Sequence, residues 1–145
     1  MTHSPFKWFD YPIRVQPHHT DYGGVVWHGS YVTWLESARV ECLRAIGIDF
    51  KTFVDLGYDL PVVDLSIRYR QPLTLGDCAV VKARLAPMKG IRLPWIYEIS
   101  MDDSVYLTAQ VTLVTVDVQH RRVVRRLPPE VRSLVQKLSD YFEHT

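Results

Sequence analysis

The sequence predicts an α+β fold, and three observations carry that prediction. One long helical period comes early, some sixty residues of strand-like sequence follow the helical part, and short turns separate those strands. Antiparallel strands can be joined by such turns, whereas parallel neighbours need a crossover of a dozen or more residues. No internal repeat and no low-complexity linker divides the 145 residues, so one domain over 1–145 is expected.

Aromatic and β-branched residues crowd positions 6–15 and Pro17 closes the segment, which reads as a first strand. Residues 18–29 form an irregular connection. From Ser30 the period changes: Tyr31, Trp34, Leu35, Ala38, Cys42 and Ala45 share one helical face, and Gly47 supplies the stop. Residues 49–56 predict a short second helix ended by Gly57. A strand follows over 62–70, broken from the next by Gln71-Pro72 and Leu75-Gly76-Asp77. In 78–86 the odd positions Ala79, Val81, Ala83 and Leu85 are apolar, while Lys82 and Arg84 face the other way.

Met88-Lys89-Gly90 turns the chain into 91–101, where Ile91, Leu93, Trp95, Tyr97, Ile99 and Met101 alternate with Arg92, Glu98 and Ser100. Pro94 cannot donate to a ladder, so an edge position or a bulge is expected there. Asp102-Asp103-Ser104 is the next hairpin turn, 105–118 is a long β segment, and 120–126 is a short continuation. Pro128-Pro129 opens a terminal helix that buries Val131, Leu134, Val135, Leu138 and Phe142. An antiparallel sheet of about five strands with one apolar face, wrapped around one long central helix, satisfies both elements. Tyr, Trp and Val exceed what one short helix can bury, so self-association through a symmetric interface is expected.

A net charge of +1 gives no global electrostatic case for nucleic acid. No run is long and apolar enough for a membrane span, and the N-terminus has no secretory pattern, so no membrane partner is expected. Cys42 and Cys78 lack CxxC spacing, which favours a reducing compartment and a cytoplasmic location.

The chemistry concentrates in Asp21-Tyr22-Gly23-Gly24-Val25-Val26-Trp27-His28-Gly29-Ser30-Tyr31. This stretch delivers one carboxylate to the mouth of a helix, whose first amides are unpaired and carry about half a positive charge. Such amides suit a developing oxyanion, and a nearby carboxylate can attack a carbonyl or activate water. An aspartate before a helix also commonly caps a loop or turn. His18, His19, Asp21 and His28 match no zinc spacing, so no metal is expected. Ser30 and Ser37 lack the GxSxG elbow, and Gly23-Gly24 makes neither a phosphate loop nor a dinucleotide fingerprint, so no cofactor is expected. Glu36 and Arg39, three apart on the helix, read as a local ion pair.

The Thr20–Tyr31 run, followed by Trp34-Leu35-Glu36-Ser37-Ala38-Arg39 and Leu43-Arg44-Ala45-Ile46-Gly47, resembles hot-dog-fold acyl-CoA thioesterases of the 4-hydroxybenzoyl-CoA thioesterase and YbgC-like group. The resemblance is dense over the first fifty residues and extends by order and length over the sheet, with Tyr69, Pro72 and Asp77 in matching places. It implies a hot-dog fold, hydrolysis of an acyl-CoA thioester to free acid and CoA, and Asp21 as nucleophile or general base. It also implies that the backbone N–H of His28 polarises the carbonyl, with Gly29 next in the first turn and the His28 side chain as a helper. Gly24 and Trp27 belong to the same motif as substrate-binding positions. Lys89 and Arg92 are candidates for the coenzyme phosphates, because the corresponding turn in related thioesterases lies near the coenzyme. Arg121, Arg122, Arg125 and Arg126 read instead as a solvated strand edge.

The group further implies a homodimer or homotetramer with active sites at subunit interfaces. Aromatic residues such as Trp27, Trp34 and Tyr22 are compatible with an aryl substrate, 4-hydroxybenzoyl-CoA or 1,4-dihydroxy-2-naphthoyl-CoA among them. Short aliphatic acyl-CoAs and acyl-carrier-protein thioesters stay open, as does a non-catalytic acyl-CoA-binding protein of the same fold.

Overall fold

The alternation over residues 78–86 turns one face of a sheet toward a helix. The computed structural model describes residues 7–143. The chain runs β1 (Phe9–Arg14), a 3₁₀ turn (Pro17–His19), α1 (His28–Ala45), α2 (Phe50–Asp55), β2 (Tyr58–Asp59), β3 (Val62–Tyr69) and β4 (Cys78–Leu85). It continues through β5 (Leu93–Met101), β6 (Ser104–Leu113), β7 (Val116–Asp117), β8 (Arg122–Val123) and α3 (Pro129–Glu143). Phe6, where the first strand is expected to begin, lies outside the described residues.

Five strands pair antiparallel throughout, in the order β1-β4-β5-β6-β3. Ala79, Val81, Ala83 and Leu85 of β4 and Leu93, Trp95, Tyr97 and Ile99 of β5 are all buried, and they form one core with Tyr31, Trp34, Leu35, Ala38 and Cys42 of α1. The small Ala79 and Ala83, with Ala38 on the helix, leave little side-chain bulk where α1 packs on β4. Burial of each large side chain contributes about 1.5–3 kcal/mol, which is why this face is continuous. Toward the end of α1 the buried face runs through Leu43, whereas Ala45 is exposed. On α3, Val131, Val135, Leu138 and Phe142 are buried, and Phe142 meets Trp95 edge-on with centroids 6.2 Å apart.

Two details differ from expectation. Pro94 sits in the central strand β5, not at an edge; it is the second residue of the strand, and its carbonyl accepts the Ala86 N–H at 2.9 Å. A proline near a strand start loses little ladder bonding. The second is a three-stranded sheet, β2-β7-β8, of two-residue strands. Between β5 and β6, Asp102 and Asp103 both take positive φ, 52° and 64°, the primed-turn geometry that matches strand twist.

The sheet's two edges are unlike. Among the described residues β1 is guarded by exposed Asp10, Pro12 and Arg14. On β3, Val62, Leu65, Ile67 and Tyr69 stand opposite Leu113, Val111, Ala109 and Leu107, which are buried. Yet Val62, Leu65 and Tyr69 are exposed by 47, 43 and 51%. A bulge between Val62 and Asp64 keeps Val62 in this inward row. α1 packs against β4 and β1, so the β3 side of the inner face is left open.

Candidate active site

Asp21 lies on a small hairpin laid against the turn that precedes β4. The Asp21 N–H donates to the Val25 carbonyl at 2.9 Å, Thr20 bridges Val26, and Trp27 N–H donates to the His19 carbonyl at 3.1 Å. Val26 N–H then donates to Leu73 at 2.9 Å, Leu75 N–H donates to Gly24 at 3.2 Å, and Val25 bridges Thr74, so the hairpin is pinned from a second side. Gly24 takes φ +78°, which lets the tip turn without the steric cost a side chain would meet.

The Asp21 carboxylate is exposed, and its Oδ1 accepts the Gly23 N–H at 2.8 Å and the Val25 N–H at 3.4 Å. This is the turn-capping role that an isolated aspartate takes. Oδ2 accepts no hydrogen bond among the described residues, so the same carboxylate keeps one oxygen for another partner.

α1 begins at His28 behind Trp27, whose extended backbone ends the hairpin and whose side chain makes no capping bond. Ser30 N–H turns back to the Trp27 carbonyl at 3.0 Å, while the N–H groups of His28 and Gly29 meet no acceptor among the described residues. Two uncapped amides at the positive end of an 18-residue helix make an anion-stabilising pair. Asp21 is three ladder positions from His28, about 10 Å along the backbone.

Trp27 and Gly29 belong together. A Cβ on Gly29 would run into the Trp27 ring, so the glycine lets the indole lie across the first helical turn. The Trp27 ring is 46% exposed and meets the His28 imidazole edge-on at 5.2 Å. The adjoining cleft, about 300 Å³, is lined by Val26, His28, Tyr31, Tyr69, Arg70 and Gln71, with Pro72 at its side. Tyr69, Arg70 and Gln71 join His28 only through long-range packing: Tyr31 meets the Tyr69 ring at 5.5 Å and accepts the Leu73 N–H at 3.1 Å. Sequence reasoning names Tyr69 and Pro72 as matching positions but gives Arg70 no role, since only the fold brings it to His28.

Lys89 and Arg92 face each other across the turn after β4, each backbone N–H donating to the other's carbonyl at 3.2 and 3.0 Å. Both side chains are exposed. The Asp21 hairpin packs at the start of β4 and this turn follows its end, so about 26 Å of strand separates them within one subunit. Arg39 departs from the expected pairing with Glu36. Its guanidinium donates to the Tyr97 hydroxyl at 3.1 Å, and burial pushes that phenol up to about 12. The ion pair on α1 is instead Arg44 with Glu41 at 3.6 Å.

The 3₁₀ turn ahead of the hairpin is held by His19. Its Nδ1 accepts the Gln16 N–H at 2.8 Å, its carbonyl accepts the Ser30 hydroxyl at 3.0 Å, and its ring meets Trp34 at 4.8 Å. Burial, and secondarily the neighbouring His18, lowers its pKa from the ordinary 6.5. With Nδ1 taken as an acceptor, His19 is poorly placed as a metal ligand, and the described residues contain no cluster of three or more His, Cys, Asp or Glu fit to hold a metal. No helix among the described residues is long and apolar enough to cross a membrane.

Residues 15–135 match the thioesterase-like superfamily model. A Synechocystis protein that carries a provisional esterase name is 51% identical over 134 residues, covering 91% of this chain and 81% of that protein. The Escherichia coli acyl-CoA thioester hydrolase YbgC is 31% identical over 118 residues, covering 81% of this chain and 86% of its own. The crystal structure of a Bartonella henselae protein provisionally named a thioesterase superposes with a TM-score of 0.76 at 26% identity, covering 84% of this chain and 100% of that one. With an antiparallel sheet wrapped on one long helix and most of its length matched, the chain belongs to the thioesterase-like superfamily and has the hot-dog fold.

Proposed function

We propose that this chain hydrolyses an acyl-CoA thioester to a free acid and CoA, with Asp21 as the catalytic carboxylate and the His28 N–H as the oxyanion donor. The observation that carries the reading is the pairing of a carboxylate having one uncommitted oxygen with two uncapped helix amides on the same short segment. The YbgC relative supplies the acyl-CoA class by its name.

Two routes use these groups. In the first, an Asp21 oxygen bonds to the thioester carbon, the carbonyl electrons move onto oxygen under the His28 and Gly29 amides, and the C–S bond breaks to release CoA thiolate. Water then cleaves the acyl-aspartyl anhydride, giving the acid and restoring the carboxylate. In the second, Asp21 takes a proton from water as that water attacks, and the tetrahedral intermediate expels the same thiolate. Neither route needs a metal or a cofactor. The His28 imidazole and the Trp27 indole flank the reacting carbonyl, and Gly24 shapes the hairpin tip that carries Asp21.

The working unit is a homodimer or homotetramer whose sites lie at subunit boundaries, and the support is the contrast between the two sheet edges. The apolar, proline-free β3 can pair with a second copy where the guarded β1 cannot. Lys89 and Arg92 then serve the CoA phosphates of a neighbouring subunit's site. Residues 1–145 act as one domain, and the two free cysteines fit a reducing, cytoplasmic setting.

An acyl-CoA panel with thiol-release detection tests the reading on wild type and Asp21→Asn. A fall of roughly 100- to 10,000-fold is expected for the variant, and unchanged release refutes the role of Asp21. A single turnover in labelled water separates the routes, since label entering Asp21 marks the anhydride path. CoA binding without hydrolysis of any ester would identify a non-catalytic binding protein.

A further inference from the structure

A second cavity is larger than the cleft at His28. It encloses about 560 Å³ between α1, α2, α3 and the β3 side of the sheet. Protein interiors pack at the density of organic crystals, so an apolar space of this size, open at Val32, Val62 and Leu65, has room for a ligand. Among the described residues only Glu36, Arg39 and Asp59 bring polar side chains to its wall. Glu36 and Asp59 are exposed, and Arg39 is half-buried with its guanidinium tied to Tyr97. The buried part is closed by Leu35, Trp95, Leu113, Val131 and Leu138, whereas Val32, Val62 and Leu65 are exposed.

The cavity and the cleft at His28 are two stations along the same pair of elements. On α1, His28, Val32, Glu36 and Val40 succeed one another at intervals of four, so the stripe that starts at the oxyanion amides continues into the cavity wall. On β3, Tyr69, Ile67 and Leu65 share the inward face; Tyr69 lines the cleft and Leu65 lines the cavity. The Tyr31–Tyr69 ring pair stands on the cleft side of the boundary, since both residues line the cleft and neither lines the cavity.

We propose that the cleft and cavity together receive an unbranched aliphatic acyl chain, laid from the thioester at His28 between α1 and β3, and that the enzyme is selective for medium-length chains over short and aryl ones. The proposal rests on the thioesterase reading and adds the class of acyl group. From Tyr69 to Leu65 is about 13 Å of strand. An extended chain of single bonds advances roughly 1.2 Å per bond, so about ten carbons reach from the cleft into the cavity. A cavity of about 150 Å³ is enough for benzene, and 560 Å³ is several times that. The buried wall is otherwise hydrocarbon, with the Trp95 indole as its one polar-tipped side chain among the described residues, so it offers no side-chain hydrogen-bond acceptor to a ring hydroxyl, which would lose its hydrogen bonds to water there.

The test is kcat/KM for acetyl- through dodecanoyl-CoA beside benzoyl- and 4-hydroxybenzoyl-CoA. Each added methylene that enters the cavity should raise kcat/KM by about fourfold, with a plateau near ten carbons. Val32→Trp and Leu65→Trp, both at exposed positions, should each lower the decanoyl-to-butyryl ratio at least about tenfold by narrowing the mouth. A flat series, or an aryl ester preferred to decanoyl-CoA, overturns the proposal and leaves the thioesterase reading standing. If no ester of any class is cleaved, that reading falls, and calorimetry decides the cavity separately. Decanoyl-CoA binding at least tenfold tighter than acetyl-CoA, and weakened by Val32→Trp, then upholds the acyl site; equal affinities overturn it.

Discussion

At the scale of single residues, Asp21 holds two positions at once: one carboxylate oxygen locks the turn and the other is uncommitted. Asp21→Asn keeps an oxygen for the Gly23 amide, so it should remove the chemistry while leaving the hairpin in place. His28→Ala leaves the backbone N–H where it is, so hydrolysis should fall by less than for Asp21→Asn, and thiol release compares the two directly. The cysteines separate as cleanly. Burial pushes the Cys42 thiol up to about 12, whereas Cys78 is exposed. Since the thiolate is the nucleophile, a thiol-specific reagent at pH 8 should label Cys78 in the native protein and reach Cys42 only on unfolding. Thr115 is fully buried, and its hydroxyl has no hydrogen-bond partner among the described residues. Thr115→Val should therefore stabilise by about 1 kcal/mol, read as a higher denaturant midpoint.

At the scale of elements, sequence periodicity carries far where one face is buried. Ala79, Val81, Ala83 and Leu85, and Trp95, Tyr97 and Ile99, alternate as read, because a strand with one face on the core has no other way to place them, while buried Pro94 breaks the pattern at the start of β5. The strands β2, β7 and β8, two residues each, are too short to show a period. The Arg39–Tyr97 bond joins residues 58 apart, and the Tyr69–Arg70 wall reaches His28 only through β3, so neither is visible in a local pattern. The candidate site segment can be proposed from the sequence because Asp21, Gly24, Trp27, His28 and Gly29 fall in one stretch, residues 21–29. The 3₁₀ turn ahead of it gives a pH prediction. His19 accepts the Gln16 N–H through Nδ1 and so folds in its neutral form, with its pKa below 6.5. The unfolded chain therefore binds more protons between the two values, and stability rises with pH across that window. The contribution is complete above 6.5 and disappears as the pH falls through 6.5 toward the folded value. Thermal midpoints from pH 8 to 5 should drop more steeply for wild type than for His19→Gln.

At the scale of the whole molecule, the sheet presents one guarded edge and one open edge, and the proposed assembly follows from this asymmetry. Exposed Pro12 on β1 cannot donate, and Asp10 and Arg14 flank it with charge. β3 contains no proline and exposes Val62, Val63, Leu65 and Tyr69. Two copies of β3 related by a two-fold axis run antiparallel, so Val62 of one faces the Tyr69 end of the other. Edge pairing uses backbone groups, which leaves the inward row Val62, Leu65, Ile67 and Tyr69 facing the helix side, where the cavity opens. Val63 is the residue skipped by the β3–β6 register, is 49% exposed, and does not line the cavity, which makes it a probe of pairing alone. Light scattering on the wild type should give two or four times the 16.9 kDa chain mass. Val63→Asp places like charges near the two-fold pairing, so it should shift the mass toward one chain and make thiol release depend on protein concentration. A wild-type protein that stays at one chain mass at all concentrations would show that β3 pairs with nothing, and each site would then be complete within its own subunit.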